Sequence, residues 1–421
     1  MSSVIIQLDV VSWYSSPYNM PKTFQRGNNT MTYNYAERVK SMENSAIRDL
    51  LKVTVQPNMI SFAGGLPAPE LFPLADIRES YDRVLGAGDP SVLQYGTTEG
   101  YLPLREEISA QMRTKGIKAE ADNILLTNGS QQGLDLIAKL FLNPGDEVLL
   151  QNPSYLGAIQ TFRSYQANFR VIPTNGEGID LTSLESSIKE HPPKLIYLAP
   201  TYQNPTGATL TIEERQTVAR IASHYGVPVI EDDPYGDLRY DGPASPPIKS
   251  FAAEDAVIYL GTFSKTLAPG LRLGWIVADR ALIAKLSVAK QGTDLHTGTL
   301  LQRATHYYLT HFNTLEHVEK IRQTYKVRRD LMLTELQENF STQVKWTEPS
   351  GGMFIWLTLP ESYDTLKLLP RVAAANVAYV PGAHFFAHGG IHSNMRLNFS
   401  NPTPLQIKQG IKLLAEILAV N

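Results

Sequence analysis

The feature that most constrains this fold is an alternation of short apolar runs with helical stretches, which begins near Ile124. The runs are rich in branched and aromatic residues and are bounded by turn residues, so they are predicted to be buried strands. They occupy residues 124–126, 147–150, 169–172, 194–199, 227–230, 256–260 and 275–278. Strands separated by helices are typical of a mainly parallel sheet that is covered on both faces. The sequence therefore predicts an α/β fold, in which residues 196–229 have the length of one βαβ unit.

The rest of the chain predicts a second, smaller domain, because 421 residues exceed the usual size of one hydrophobic core. Residues 35–53, 74–85 and 281–340 are predicted to be mainly helical. Residues 345–421 mix short strands with a closing helix, which is typical of an α+β domain. We expect a loose leader over 1–30, an N-terminal arm over 31–73, a large domain over 74–310 and a small domain over 311–421.

The charge and hydropathy of the chain argue against nucleic acid and membranes as partners. The net charge is -3 and the isoelectric point is near 6.3, so no basic surface is expected. No apolar stretch approaches the roughly 20 residues that a transmembrane helix needs. The apolar run at residues 4–11 has no basic segment before it, so the predicted location is the cytoplasm. The absence of cysteine excludes disulfides and cysteine nucleophiles.

Lys265 follows the predicted strand at residues 256–260 in an unusual setting. The hydroxyls of Thr262 and Ser264 precede it, and Arg272 comes seven residues later. This setting suits a nucleophilic amine whose neighbours hold an anion. Such lysines form Schiff bases with carbonyl cofactors, above all pyridoxal phosphate. The alternative is a lysine at a strand end whose side chain reaches solvent.

Other chemically distinct side chains also follow predicted strands, at the edge of the sheet where α/β proteins bind ligands. The loop at residues 128–133 opens a helix, and its backbone N–H groups would suit a phosphate. Taken alone, this loop is a turn and Tyr155 is a packing aromatic; together these groups match one cofactor. Pyridoxal phosphate would use Lys265 for its aldehyde, Asp232 for its ring nitrogen, Tyr155 for its ring face, Asn204 and Tyr235 for its 3-oxygen, and Ser130, Gln131, Thr262, Ser264 and Arg272 for its phosphate.

From about Ser45 to the C-terminus, the chain resembles the fold-type I, class I/II aminotransferases. The resemblance is greatest to the branch that contains 2-aminoadipate, kynurenine and broad-specificity aromatic or branched-chain aminotransferases. One departure is Thr262, where many members have serine, although the hydroxyl is kept. The matching motifs are residues 47–52, 61–73, 94–96, 204–207, 232–235, 264–265 and 395–397.

The resemblance also implies roles for residues that no strand end predicts. Arg396 would bind the α-carboxylate of the substrate, because a guanidinium fits a planar carboxylate. Tyr95 would reach the cofactor phosphate of a partner subunit, which implies a homodimer with shared active sites. Gly64 and Gly65 would face the substrate, as would Asn204. Arg48 matches a position on a mobile N-terminal helix, part of a substrate lid, that can recognise an acidic side chain; the alternative is a solvated charge.

The implied activity is the ping-pong transfer of an amino group from an amino acid to a 2-oxo acid. The donor would be 2-aminoadipate, an aromatic or a branched-chain amino acid, and the expected acceptor is 2-oxoglutarate. Catalysis would rest on Lys265 as tether and general base, on Asp232, and on Tyr155. A pyridoxal phosphate lyase or decarboxylase would use the same pocket. An aminotransferase-like transcriptional regulator would need an N-terminal DNA-binding domain, and residues 1–30 contain no basic recognition helix.

A histidine cluster offers one rival interpretation. His384, His388 and His392 are four residues apart, as zinc ligands on one face of a helix would be. Gly389 and Gly390 argue against a continuous helix there, so loop histidines and no metal are predicted.

Overall fold

A computed structural model describes residues 33–40, 58–174, 178–252 and 256–419. The helices are α1 (Glu37–Lys40), α2 (Leu74–Gly86), α3 (Leu102–Thr114), α4 (Ser130–Phe141), α5 (Leu156–Ser164), α6 (Leu181–Glu190), α7 (Ile212–Tyr225), α8 (Arg280–Asp294), α9 (Thr299–His311), α10 (Thr314–Asn339), α11 (Thr365–Ala374) and α12 (Pro404–Ala419). The strands are β1 (Ile60–Ser61), β2 (Ile124–Thr127), β3 (Glu147–Leu150), β4 (Asn168–Val171), β5 (Leu195–Leu198), β6 (Val229–Asp232), β7 (Val257–Thr262), β8 (Gly274–Val277), β9 (Lys345–Trp346), β10 (Phe354–Thr358), β11 (Val377–Ala378), β12 (Val380–Pro381) and β13 (Asn394–Asn398).

The central element is a seven-stranded sheet with the order β2-β8-β7-β6-β5-β3-β4. Strands β7, β6, β5, β3 and β4 pair in parallel, which confirms the predicted α/β fold with a mainly parallel sheet. Strand β8 departs from the simple alternation, because it pairs antiparallel with both β2 and β7. The chain therefore turns back on itself after β7, and Lys265 lies in that turn.

Helices cover both faces of this sheet, which explains why its strands are continuous apolar runs. On one face, side chains such as Leu125, Ile230 and Ile258 pack against α4, α5 and α8. On the other face, the residues that alternate with them pack against α6 and α7, and further along the sheet against α3 and α9. All six residues of β7 are buried. The carboxyl ends of the strands consequently form the natural edge for a ligand.

The predicted βαβ unit is present as β5, α7 and β6. Helix α7 begins with a capping box, in which Thr211 and Glu214 each bind the backbone N–H of the other. It ends at Gly226, whose φ of 64° is a left-handed conformation that favours glycine. Strands β5 and β6 pair in parallel on either side of this helix, so Asn204 and Asp232 lie at the same edge of the sheet.

The C-terminal residues form a separate sheet and core. Strands β12, β13, β10 and β9 make a four-stranded antiparallel sheet, and β1 pairs in parallel with β11. Helices α10 and α12 pack on these strands, together with residues 59–71 of the N-terminal part. This arrangement agrees with an α+β unit, although the boundaries at residues 74 and 311 stay predictions.

Several helices were not predicted by the apolar pattern, namely α3, α5, α6 and α11. The helix predicted at residues 35–53 falls mostly outside the described residues, which include only α1 from that range. None of the described helices is both long and apolar enough to cross a membrane.

Candidate active site

A cavity of about 1090 Å³ lies at the carboxyl ends of β5, β6 and β7. Twelve of the fifteen predicted site residues line it, although they come from parts of the chain more than 300 residues apart. They are Gly65, Ser130, Gln131, Tyr155, Asn204, Asp232, Tyr235, Thr262, Ser264, Lys265, Arg272 and Arg396.

Lys265 projects into this cavity from the turn between β7 and β8. Its Nζ donates a hydrogen bond of 2.8 Å to the backbone carbonyl of Gly65. The pKa of the Lys265 amine is lowered to about 8, mainly by burial and also by the positive charges of Arg396 and Arg272. A substantial fraction of neutral, nucleophilic amine is therefore present near neutral pH.

Asp232 is the last residue of β6 and has one carboxylate oxygen available for a ligand. Its Oδ2 accepts a hydrogen bond of 2.8 Å from the buried phenol of Tyr197. Its Oδ1 is buried and has no hydrogen-bond partner among the described residues. The pKa of Asp232 is raised to about 7, mainly by burial. The hydrogen bond from Tyr197 acts to lower this pKa, whereas the negative charge of Asp233 acts to raise it. Such a carboxylate requires a positively charged partner at Oδ1.

The residues on either side of Asp232 point to the opposite face of the sheet, as successive side chains in a strand do. Glu231 accepts backbone N–H groups of Ile248 and Lys249, at 2.8 and 2.9 Å. Asp233 accepts the hydroxyl of Tyr259 and the backbone N–H of Gly236, both at 2.8 Å. Only the middle member of this acidic triplet is directed into the cavity.

Arg396 reaches the cavity from β13 of the C-terminal sheet. It donates to Oδ1 of Asn204 at 2.7 Å and to the carbonyl of Ala63 at 2.6 Å. Its guanidinium lies 4.2 Å from the ring centroid of Phe354, a cation–π contact that orients it. Nε is buried and has no partner within the described part of the chain. Burial lowers the pKa of Arg396 to about 10, so the group stays positively charged at neutral pH.

The N-terminus of α4 forms the opposite corner of the cavity. No side chain caps this helix, so backbone N–H groups of its first turn remain available for an anion. Gly129 precedes it with a φ of 76°, and a Cβ there would lie 2.6 Å from Nη2 of Arg272. Thr262 and Ser264 complete the corner, with their hydroxyl oxygens 2.9 Å apart. Helix N–H groups, two hydroxyls and a guanidinium together suit a phosphate.

Tyr155 lies between this corner and Asp232, just before α5. Its hydroxyl donates to Oε1 of Gln131 over 3.4 Å, and a Cβ on Gly157 would lie 2.6 Å from the tyrosine ring. The side-chain amide of Gln131 donates a hydrogen bond of 2.6 Å to the hydroxyl of Thr161, so the Gln131 side chain is held beside Tyr155. Burial raises the pKa of Tyr155 to about 12, which keeps the phenol neutral.

Residues 66–414 match the family model described as Aminotransferase class I and II. The chain belongs to the class I and II aminotransferases. It is 45% identical over 390 residues to the aromatic-amino-acid aminotransferase 1 of Thermococcus litoralis, covering 91% of this chain and 94% of that protein. The fold is that of the fold-type I enzymes, as predicted.

Two solved structures are also similar to the aminotransferase. The kynurenine aminotransferase of Pyrococcus horikoshii, in complex with pyridoxamine phosphate (PMP), superposes with a TM-score of 0.87 at 43% identity, covering 92% of this chain and 97% of that chain. The α-aminoadipate aminotransferase of Thermus thermophilus, in complex with phosphopyridoxyl-leucine, gives a TM-score of 0.86 at 38% identity, with coverages of 92% and 98%.

Pyridoxal phosphate is the cofactor of this aminotransferase, and the cavity fits it. The unpartnered Oδ1 of Asp232 suits a protonated ring nitrogen, and the uncapped α4 with Arg272 suits the phosphate. Lys265, which lines the same cavity, offers the amine that an aldehyde needs. The expected cofactor is therefore confirmed.

In the cofactor-free aminotransferase, an acylating reagent should modify Lys265 with a pH midpoint near 8. Only the neutral amine reacts, so the rate should rise as the pH passes through this pKa. Peptide mass spectrometry would follow the modification. Replacing Arg396 by Gln removes a positive charge and should move the midpoint upward. A midpoint near the ordinary value of 10.5 in the unsubstituted protein would contradict the inferred environment.

Two predicted site residues of the aminotransferase, Gly64 and Tyr95, are not among the residues that line the cavity. Gly64 is buried beside Gly65 but does not line the cavity. Tyr95 is 78% exposed and contacts the ring of His296 edge-on, with the centroids 5.7 Å apart. Arg48 lies outside the described residues.

The sequence did not predict a role for Tyr197, because its position inside β5 suggested only a packing residue.

His384 and His388 line the cavity, whereas His392 is exposed and is not among the residues that line it. Gly389 and Gly390 both have positive φ values, so no continuous helix joins the three histidines. In the described ranges, no three histidine or acidic side chains are grouped to hold a metal ion.

Proposed function

We propose that this aminotransferase transfers the amino group of an aromatic amino acid or 2-aminoadipate, with branched-chain donors as a further class, to 2-oxoglutarate. The observation that carries the proposal is that the amine of Lys265, the free oxygen of Asp232 and the guanidinium of Arg396 meet in one cavity. The names of the similar enzymes, which act on aromatic amino acids, kynurenine and α-aminoadipate, support the donor classes.

Arg396 would bind the α-carboxylate of the amino acid. Its buried, permanently charged guanidinium is already oriented by Asn204, Ala63 and Phe354. The N–H of Nε and one N–H on each of Nη1 and Nη2 have no partner in these hydrogen bonds. A carboxylate could therefore accept charge-assisted hydrogen bonds from them without a rearrangement of the guanidinium. Gly65 supports close approach, since a Cβ there would come within 3.3 Å of the Phe354 ring.

When bound, the cofactor withdraws electrons from the substrate Cα and so makes its proton acidic. Asp232 would hold the ring nitrogen in its protonated form through Oδ1, and Tyr197 fixes the carboxylate through Oδ2. Asn204 and Tyr235 face the same cavity and would bind the 3-oxygen. The phosphate would be anchored by Ser130, Gln131, Thr262, Ser264 and Arg272, all of which line the cavity.

Lys265 would serve first as the covalent tether and then as the general base. Because its pKa is lowered to about 8, the released amine would accept the Cα proton of the substrate at neutral pH and then donate that proton to the cofactor. The carbonyl of Gly65 accepts a hydrogen bond from Nζ and would orient the amine between these two positions. Tyr155, which lines the same cavity, would pack against the face of the cofactor ring.

We infer a ping-pong order, since Arg396 and Lys265 would serve both substrates in turn. The amino acid would leave as a 2-oxo acid before 2-oxoglutarate enters the same site and accepts the amino group. Arg48, on the predicted lid within the arm at residues 31–73, would recognise the acidic side chain of dicarboxylic substrates.

We also infer a homodimer with shared active sites. Tyr95 and Leu93 are large apolar side chains that are exposed in the single chain, which supports a second subunit covering them. In that dimer Tyr95 would reach the cofactor phosphate of the partner subunit. The cytoplasmic location and the domain boundaries proposed from the sequence stay predictions.

A screen of amino donors with 2-oxoglutarate tests the proposed function. We expect glutamate formation with aromatic amino acids and 2-aminoadipate, and no release of ammonia or carbon dioxide. Arg48→Ala should raise KM for 2-aminoadipate about 10- to 100-fold, because a charged hydrogen bond is lost, and leave aromatic donors nearly unchanged. Arg78→Ala, which removes a surface ion pair with Asp82 on α2, is the control and should change neither.

Two outcomes would contradict the proposal. Release of ammonia or carbon dioxide without glutamate would replace amino transfer by elimination or decarboxylation. Equal losses with both donor classes in Arg48→Ala would make Arg48 a surface charge rather than a recognition residue.

A further inference from the structure

A partly buried cluster of four polar side chains lies beside the phosphate corner, and none of its members lines the cavity. It consists of Asn128, Gln132, Lys290 and Asp294, which we name the Lys290–Asp294 cluster. Lys290 and Asp294 belong to the last turn of α8, whereas Asn128 and Gln132 flank the start of α4. The Lys290 side chain is fully buried, and that of Asp294 is 22% exposed.

The cluster forms a closed set of hydrogen bonds. Lys290 Nζ donates to both oxygens of Asp294 at 2.9 Å and to Oε1 of Gln132 at 2.8 Å. Oδ2 of Asp294 also accepts the side-chain amides of Asn128 and Gln132, both at 2.6 Å. Oε1 of Gln132 accepts the backbone N–H of Asn128 at 2.8 Å. Each of the four side chains is thus hydrogen-bonded to at least one other member, which restricts their movement.

The hydrogen bonds of the cluster hold the chain at two positions, one on each side of the phosphate corner. Asn128 immediately precedes Gly129, and Gln132 immediately follows Gln131. Ser130 and Gln131 line the cavity, whereas the cluster does not. Asn128 and Gln132 therefore lie on either side of the segment 129–131, from which Ser130 and Gln131 reach the cavity.

General stability is a weak explanation for this arrangement. A buried ion pair can often be replaced by apolar residues with little loss of stability, because desolvation offsets its attraction. What such a pair supplies is a defined geometry. A displacement of the α4 N-terminus would move its N–H groups away from the phosphate, and it would also disturb the close approach of Gly129 to Arg272.

We propose that the Lys290–Asp294 cluster is a positioning device that holds the α4 N-terminus in the geometry that binds the cofactor phosphate. The residues act through the backbone of the segment 129–131 and do not touch the cofactor. This inference rests on the proposed phosphate site.

The decisive experiment compares pyridoxal phosphate with pyridoxal, which carries the same aldehyde but no phosphate. The full-length protein is freed of cofactor and titrated with each, and the absorbance of the lysine-bound aldehyde gives the dissociation constant. Asp294→Asn should weaken pyridoxal phosphate binding about 10- to 100-fold, as expected for one or more lost charged hydrogen bonds. It should weaken pyridoxal binding by less than about twofold, since the phosphate corner is not used.

A second variant and a control make the result independent of folding losses. Asn128→Ala keeps the ion pair and removes one donor to Asp294, so it should give a smaller loss of the same selective kind. Asp279→Ala removes the side-chain cap at the other end of α8, which accepts the backbone N–H of Leu282 at 3.0 Å. This control lowers helix stability without contacting the phosphate corner, and it should leave the ratio of the two affinities unchanged.

Equal weakening of both ligands, or no selective loss in either cluster variant, would overturn the inference. Arg272→Gln separates this failure from failure of the phosphate site itself. If Arg272→Gln lowers the preference for pyridoxal phosphate and the cluster variants do not, only the cluster proposal is wrong. If Arg272→Gln has no effect on the preference, the proposed phosphate site is wrong.

Discussion

Lys265→Ala is expected to lower kcat for amino transfer by at least about 10⁴-fold. General-base catalysis alone contributes about 10²- to 10⁴-fold, and this variant also loses the covalent tether. Among the described residues, no other lysine lines the cavity, so none of them offers a neighbouring amine for either role. Steady-state measurement of glutamate formation would give the value, and the absorbance of the lysine-bound cofactor should disappear at the same time.

The control for this variant is Lys412→Ala, on α12 and away from the cavity, which should leave kcat unchanged. Turnover by Lys265→Ala within about tenfold of the unsubstituted enzyme would remove Lys265 from the mechanism. Thermal unfolding of the cofactor-free proteins should show that the two variants fold equally well.

Asp232→Asn is expected to reduce kcat about 10²- to 10⁴-fold. Removing one partner of a buried charge pair costs about 3–5 kcal/mol, and the asparagine cannot hold the cofactor ring nitrogen in its protonated form. The shape of the side chain is nearly unchanged, so binding of the phosphate should persist. The measurement is kcat together with the cofactor dissociation constant; a large loss of cofactor with normal kcat would assign Asp232 to binding alone.

Tyr197→Phe is the matched variant, because it removes only the hydrogen bond to Oδ2 of Asp232. We expect a smaller fall in kcat, about tenfold, with a dependence on pH. The Tyr197 hydrogen bond lowers the pKa of Asp232, so its removal raises that pKa and protonates the carboxylate at higher pH. The variant should therefore lose more activity at about pH 6 than at about pH 8. A uniform loss at both would leave Tyr197 without influence on this carboxylate.

Much of the site could be predicted because strand ends in a parallel sheet share one edge. Once the strands near Asn204, Asp232 and Lys265 were recognised, their side chains had to lie together, and the cavity brings them together. Reasoning from strand ends alone does not reach Arg396, which arrives from the C-terminal sheet; the motif supplied it. Tyr197 was not predictable, since a phenol inside a strand resembles a packing residue until its hydroxyl partner is known.

Some misses had a signal in the sequence. Asp180 precedes α6 and accepts the backbone N–H of Ser183, the pattern of an N-cap that predicts a helix start. The reversed direction of β8 also had one, because only residues 263–273 separate it from β7. A parallel return needs a crossover of a dozen or more residues, so a shorter link indicates an antiparallel neighbour. By contrast, α5 has no side-chain cap and contains Gly157, so local propensity gave no reason to expect it.

The acidic triplet at the end of β6 has a consequence for the folding of the sheet. A strand that pairs one residue out of register exchanges its two faces. Such a slip would turn Asp232 away from the cavity and put Glu231 or Asp233 there. The cavity would still contain a carboxylate, but not the one that Tyr197 binds. The slip would also separate Glu231 from the N–H groups of Ile248 and Lys249 and leave carboxylates buried without donors. Glu231 and Asp233 therefore destabilise a sheet in which β6 pairs out of register, and this effect does not need the cofactor.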